Sequence, residues 1–260
     1  MAIAKTKNAL KQRLERFFSS KEQFRIDAND FLYSLSSIAD TYVFGGMVRD
    51  ICLFGIKGFE SDIDVICSLD KKTLINALQS KNINNISENK FGGFRVSQKK
   101  IDIDIWCIND TWAFTNELIR FDGLDSILST TLMTWDSVLY DFKNKKIICN
   151  DNYFDDLLTG RLELVLERTP NEIGAIVRVL RTIYGKHAQI LGPKAVYMLK
   201  KALVDYKPDE LIRYERKSYS SKYLNTQRII SISDLLRNHE EKKEISITSF
   251  KQLPLILEQS

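Results

Sequence analysis

Up to about residue 150 the apolar side chains of this chain fall both in short runs that alternate every second residue and in segments of helical spacing, and beyond it they keep helical spacing alone. That change of period restricts the fold to a mixed α/β part followed by a helical one. In the first part Tyr42-Val43-Phe44, Asp62 to Cys67, Phe94-Arg95-Val96 and Lys100 to Ile108 read as strands. The last alternates strictly in Ile101-Asp102-Ile103-Asp104-Ile105, forms a hairpin with Phe94-Arg95-Val96, and is expected to neighbour the first strand. Trp135 to Phe142 and Lys146 to Cys149 make a further hairpin around Lys143-Asn144-Lys145. Helical spacing marks Lys5 to Phe18 and Lys21 to Ile38 before these strands, and Met47 to Phe54 and Lys71 to Gln79 between them. Later it places Ile173, Ile176, Val177, Leu180 and Ile183 on one face of Glu172 to Tyr184, and continues in Ala195 to Val204, 208–216 and Ile229 to Leu236. The expected organisation is an α/β head with N-terminal helices over 1–150 and a helical body, the acceptor-binding part, over 151–260.

A hydrophobic content of 44% with 28% charged residues and 4 Pro describes a globular chain able to bury a core, and excludes disorder and fibrous repeats. No apolar run reaches the roughly 20 residues that span a bilayer, and the start lacks the apolar stretch of a signal peptide, so a cytoplasmic protein is expected. Cys52, Cys67, Cys107 and Cys149 form no CxxC and read as small buried hydrophobes. With His187 and His239 the only histidines, a zinc site or a histidine-dependent triad has almost no raw material. From Pro170 onward there are 16 Lys+Arg against 10 Asp+Glu, and before it 22 against 24, so the parts carry +6 and −2. This suits an acidic catalytic part joined to a basic part that holds a polyanion, or equally a solvated surface with excess lysine.

Asp62 and Asp64 sit at strand spacing, so both carboxylates project from one side, and two like charges so close call for a cation. About a dozen residues upstream, Gly45-Gly46 lies between a strand and a helix, where backbone amides can cradle phosphate, or where the chain simply makes a tight turn. Arg49 follows on the first helical turn, within reach of a phosphate or a carboxylate. Asp102 and Asp104 again share one strand face. Nucleotidyl transfer needs several metal-bound oxygens and help in deprotonating the nucleophile. Either aspartate can supply the third carboxylate, and Asp104 is favoured over Asp102 because it lies nearer the end of the alternating run.

Phe44-Gly45-Gly46-Met47-Val48-Arg49-Asp50, followed by Ser61-Asp62-Ile63-Asp64, resembles the GGxVRD…DxD signature of the poly(A) polymerase and CCA-adding enzyme head domain. The match covers approximately Thr41 to Cys149, and the helix containing Arg178-Val179-Leu180-Arg181 resembles the neck helix of that family. The resemblance implies a nucleotidyltransferase head with a mixed sheet of about five strands flanked by helices, an all-α neck and body, use of two Mg2+ ions, and an NTP as donor. It further implies that Gly45 and Gly46 hold the triphosphate, that Asp62 and Asp64 hold the metals, which Asp104 would join as the third carboxylate read from the spacing above, that Arg49 supports the phosphate end, and that Arg178 and Arg181 face the base or acceptor. An RNA such as tRNA is the implied acceptor.

The departures are as informative. Leu128 to Thr134 stands where the family carries RRDFTxN, so its ribose and template contacts are not carried over, and Gly174-Ala175-Ile176-Val177-Arg178 stands where it carries EDxxR, so the acidic pair that reads the base is missing and canonical CCA addition is not expected. Trp106, Trp112 and Phe114 read as core packing rather than as base-stacking rings, and Phe91-Gly92-Gly93-Phe94 as a hairpin turn. Arg213 to Tyr223 interleaves basic and aromatic residues and suits RNA contact, or a solvated amphipathic helix. Three functions compete: nucleotidyl transfer to RNA or to a protein hydroxyl, glycosyl transfer through DxD, and nucleotide- or RNA-binding regulation without turnover.

Overall fold

The computed structural model describes residues 2–59, 62–83, 85–89, 92–98 and 101–248. Of the residues singled out above, Ser61, Phe91 and Lys100 lie outside them. The chain divides into two compact units, one running to Thr131 and resuming at Trp135–Leu157, the other made of Leu132–Thr134 and the residues from Leu158 onward.

The first unit opens with helices α1 (Lys7–Phe18) and α2 (Gln23–Ser36). Thr6 caps α1 by accepting a hydrogen bond from the Ala9 amide at 3.1 Å, and the helix buries Leu10, Leu14, Phe17 and Phe18 along one face. There follow β1 (Thr41–Phe44), α3 (Gly46–Phe54), β2 (Ile63–Cys67), α4 (Lys71–Ser80), β3 (Ile86–Glu88), β4 (Phe94–Gln98) and β5 (Ile101–Cys107). Two short helices, α5 (Trp112–Thr115) and α6 (Leu124–Leu128), precede the hairpin β6 (Val138–Asp141) and β7 (Lys146–Cys149), and α7 (Tyr153–Thr159) comes next.

The seven strands form one mixed sheet in the order β3-β4-β5-β2-β1-β6-β7, in which only β2 and β5 run parallel. Seven strands stand where about five were implied, and β5 pairs with β2 and β4 rather than with the first strand, because β2 lies between β5 and β1. The strand β3 escaped the sequence reading: it lies at a sheet edge, and Ile86 is its one apolar residue.

Alternation assigns the two faces of this sheet. Val43, Ile63, Val65, Ile103 and Ile105 are fully buried on one. On the other, Tyr42, Ile66 and Leu139 join Ile108, Ile127 and Leu128 in a cluster against which Phe44, Trp106, Phe114 and Ile148 pack. Trp106 and Phe114 therefore do pack on the core, as expected. The Gly92-Gly93 pair joins β3 to β4 in a hairpin, with the Asn89 amide donating to the Gly93 carbonyl at 2.7 Å. A Cβ on Gly93 would stand 2.7 Å from the Trp106 ring, so a glycine there lets the indole lie against the turn.

The second unit contains α8 (Glu172–Gly185), α9 (Pro193–Asp205), α10 (Pro208–Ser218) and α11 (Thr226–Arg237). Asn171 caps α8 through the Gly174 amide at 3.2 Å and Asn225 caps α11 through the Arg228 amide at 2.8 Å. On α8, Ile176, Val177, Leu180 and Ile183 are fully buried, each stabilising the unit by about 1.5–3 kcal/mol. This part is not all-α: β8 (Arg161–Leu162), β9 (Ile190–Leu191) and β10 (Ile245–Ser246) make a small three-stranded sheet. Strands of two residues carry no readable period.

Candidate active site

The row of residues that crosses the large sheet at Asp64 locates the site. Strand pairing sets Leu139 beside Phe44, Phe44 beside Asp64, Asp64 beside Asp104 and Asp104 beside Arg95. All five side chains belong to one face, since aligned residues of neighbouring strands point the same way. The row is apolar on β6 and β1 and charged on β2, β5 and β4, so the apolar cluster covering this face gives way to carboxylates within one row.

Parallel pairing in register brings Asp64 of β2 next to Asp104 of β5. Asp62 lies one residue before β2 and joins them through Arg95. The Arg95 guanidinium donates from Nε to Asp104 Oδ1 at 2.8 Å, and from Nη2 both to Asp104 Oδ2 at 2.6 Å and to Asp62 Oδ2 at 2.7 Å. The hydrogen bond to Asp104 raises the Arg95 pKa, burial opposes that, and the charges of Asp104, Asp62 and Asp102 add to the rise. Asp102 is exposed and turned to other use, accepting from Ser97 Oγ at 2.6 Å. Arg95 was missed as a functional residue. The signal in sequence was faint: its place opposite Asp104 requires the hairpin register.

The Gly45-Gly46 turn lies at the end of β1, one residue beyond the partner of Asp64. Gly45 adopts φ 62° and ψ −117°, a backbone state open to glycine and strained for any other residue. Its amide donates to the Val138 carbonyl at 3.1 Å, and α3 begins immediately with no side-chain cap. The amides of a first helical turn have no partner within their helix and face outward from its positive end. They can take a phosphate oxygen.

Arg49 is buried rather than presented to solvent. Its Nε donates to Asp50 Oδ1 at 2.7 Å and its Nη1 to Asp136 Oδ1. Burial would lower its pKa, but Asp136 and Asp50 more than offset this and hold the guanidinium charged. The carbonyl of Asp136 lies 3.8 Å from where a Gly45 Cβ would be, so this ion pair stands beside the glycine turn.

Arg178 and Arg181 lie on α8 of the second unit. Arg178 is exposed. The Arg181 guanidinium lies over both the Tyr219 and the Tyr223 ring, 4.0 and 4.9 Å from their centroids, and donates to Glu215 Oε1 at 2.6 Å, the Ser221 carbonyl at 2.7 Å and Ser221 Oγ at 2.9 Å. Glu215 is wholly buried and also accepts from the Tyr223 and Leu224 amides at 2.9 and 3.0 Å. Arg181 thus closes a clasp around the α10–α11 loop.

Carboxylate oxygens are the donors magnesium takes, but among the described residues no three Asp, Glu, His or Cys side chains stand grouped to hold a metal ion, and the Arg95 guanidinium stands as the cation between Asp62 and Asp104. All four cysteines are buried and free. No helix among the described residues is long and apolar enough to cross a membrane.

No protein-family model and no curated protein matches this chain. Solved structures do. A tRNA-processing enzyme in an apo form shares 18% identity at a TM-score of 0.58, over 86% of this chain and 59% of its own. A CCA-adding enzyme in complex with CTP shares 17% at 0.58, over 91% and 56%. The Thermotoga maritima CCA-adding enzyme complexed with tRNA shares 16% at 0.60, over 91% and 55%. The chain spans somewhat more than half the length of these proteins, and what it shares with them is the fold: a mixed α/β sheet flanked by helices, as in the tRNA-processing nucleotidyltransferases.

Proposed function

We propose that this protein is a magnesium-dependent nucleotidyltransferase that moves an NMP from an NTP to an acceptor hydroxyl, in the first place an RNA 3′ end such as that of a tRNA, with release of pyrophosphate. The observation that carries this reading is the in-register pair Asp64 and Asp104 beside the Gly45-Gly46 turn. Asp62, Asp64 and Asp104 would hold the metal, which when bound would polarise the α-phosphoryl group and acidify the attacking hydroxyl. The first-turn amides of α3 would take oxygens of the triphosphate, and Arg49, through Asp136, would hold their turn in place. Arg181 would act by fixing the α10–α11 loop. Exposed Arg178, Arg213, Arg216 and Lys217 would meet RNA phosphates through charge, since Tyr219 and Tyr223 already stack on Arg181.

Incubation with magnesium, each α-labelled NTP in turn and total cellular RNA plus protein tests the reading. Label is expected in RNA, with pyrophosphate formed, and is expected to vanish in Asp62→Ala with Asp64→Ala while the circular dichroism spectrum stays unchanged. Label confined to protein would move the acceptor to a protein hydroxyl. Incorporation undiminished in the double variant would sink the assignment, and incorporation only from labelled UDP-sugars would point to glycosyl transfer.

A further inference from the structure

We propose that Arg95 is an internal competitor for the divalent metal: it holds Asp62 and Asp104 while no metal is bound, and metal enters only by displacing it. The inference rests on the reading above and adds to it the residue that sets how tightly the metal is held.

The geometry is specific. A single nitrogen, Nη2, donates to one oxygen of Asp62 and one of Asp104, at 2.7 and 2.6 Å. A cation bridging those two oxygens would have to sit between them, where Nη2 now stands. Magnesium takes carboxylate oxygens at about 2.0–2.1 Å, so guanidinium and metal cannot share the position. Arg95 Nε meanwhile holds the other oxygen of Asp104, making that grip bidentate, the strongest arrangement an arginine forms with a carboxylate.

The charge pattern calls for such a residue. Asp62, Asp64, Asp102 and Asp104 all lie near one sheet face on neighbouring strands, and like charges so placed repel unless a cation lies among them. Arg95 supplies that cation from β4 without any bound ion. The ends of the grip differ: the Asp104 side chain is 13% exposed, while those of Arg95 and Asp62 are 43% and 51% exposed. The bond to Asp62 is therefore the one that water and ions reach, and Arg95 has solvent into which it can swing. A guanidinium released there finds its best new partner in a phosphate group, which it grips in the same forked manner. Metal binding is then weak by itself and strengthened by nucleotide partly through Arg95.

Manganese binding to the full 260-residue chain, followed by the loss of the free-ion electron paramagnetic resonance signal, tests this without reference to turnover. Arg95→Gln is expected to bind manganese at least about tenfold more tightly than the unaltered protein in the absence of nucleotide. Arg95→Lys, which keeps a charge but loses the fork, is expected to fall between the two and serves as the second variant should Arg95→Gln fold poorly. A non-hydrolysable NTP should tighten manganese binding less in Arg95→Gln than in the unaltered protein. Equal or weaker manganese binding in both Arg95 variants would overturn the proposal and make Arg95 a tie that orders the carboxylates. Such a result would leave the nucleotidyltransferase reading standing if manganese binding were lost in Asp62→Asn with Asp64→Asn. No manganese binding by any form would instead overturn the metal-dependent reading itself.

Discussion

Arg49 and Asp136 are 87 residues apart in the chain and meet in a buried ion pair, with side chains 9% and 11% exposed. The pair ties the first turn of α3 to the segment leading into β6, and Asp50 completes it. Removing the arginine strands two buried carboxylates, a change that typically costs about 3–5 kcal/mol. Arg49→Met should lower the urea midpoint by that equivalent, read by circular dichroism. An unmoved midpoint together with weakened nucleotide binding would show that Arg49 acts on phosphate directly.

The two aspartates of β5 should separate cleanly. Asp104 is aligned with Asp64 and gripped by Arg95, whereas Asp102 is exposed and bonded to Ser97. Asp104→Asn is expected to lower nucleotide incorporation by about a hundredfold or more, the scale of losing one electrostatic group from such a site. Asp102→Asn should stay within about threefold, as a surface substitution does. Equal losses in initial-rate assays would mean that both carboxylates serve the reaction.

In the second unit, Glu215 is the group whose loss should be felt first. Arg181→Met would leave a wholly buried carboxylate with only its amide partners, at a cost of about 3–5 kcal/mol. Hydrogen exchange of the Tyr223 and Leu224 amides should accelerate in Glu215→Ala, since both donate to that carboxylate. Unchanged protection would mean that the loop is held by other contacts.

Burial raises the Cys52 thiol from its ordinary value of 9.0 to about 12 and the Cys149 thiol to about 11. The unfolded chain therefore ionises first as pH rises. The stability these thiols contribute is complete below about pH 9 and is lost progressively as pH climbs through 11 and 12. Denaturant melts from pH 8 to pH 11 should show that decline, and Cys52→Ala with Cys149→Ala should flatten it. A slope identical in the double variant would assign it to other groups, such as the buried hydroxyl of Tyr153, which desolvation also raises.

What could be read from the sequence follows from the range of each signal. Asp62, Asp64, Asp102 and Asp104 announce themselves because period two is a local property, and Gly45 because strand, glycine and helix occupy a few consecutive residues. Arg95 and Asp136 stay hidden for the opposite reason: each matters through a partner brought to it by strand register or by a contact 87 residues away. Arg49 lay beside the expected phosphate site, yet its surroundings are two carboxylates, one of which no local pattern reveals. The strand order had the same limitation, since nothing in the alternation of Ile101 to Ile105 says which strand will lie beside it.

The clasp of Arg181 on Glu215, Ser221 and the two tyrosine rings fixes when the loop between α10 and α11 loses its freedom. Its backbone is ordered as the unit folds, so the entropic cost of immobilising it falls on folding and not on recognition. A polyanion arriving there would meet a surface already in its final shape, and the loop would contribute to affinity by rigidity as much as by charge.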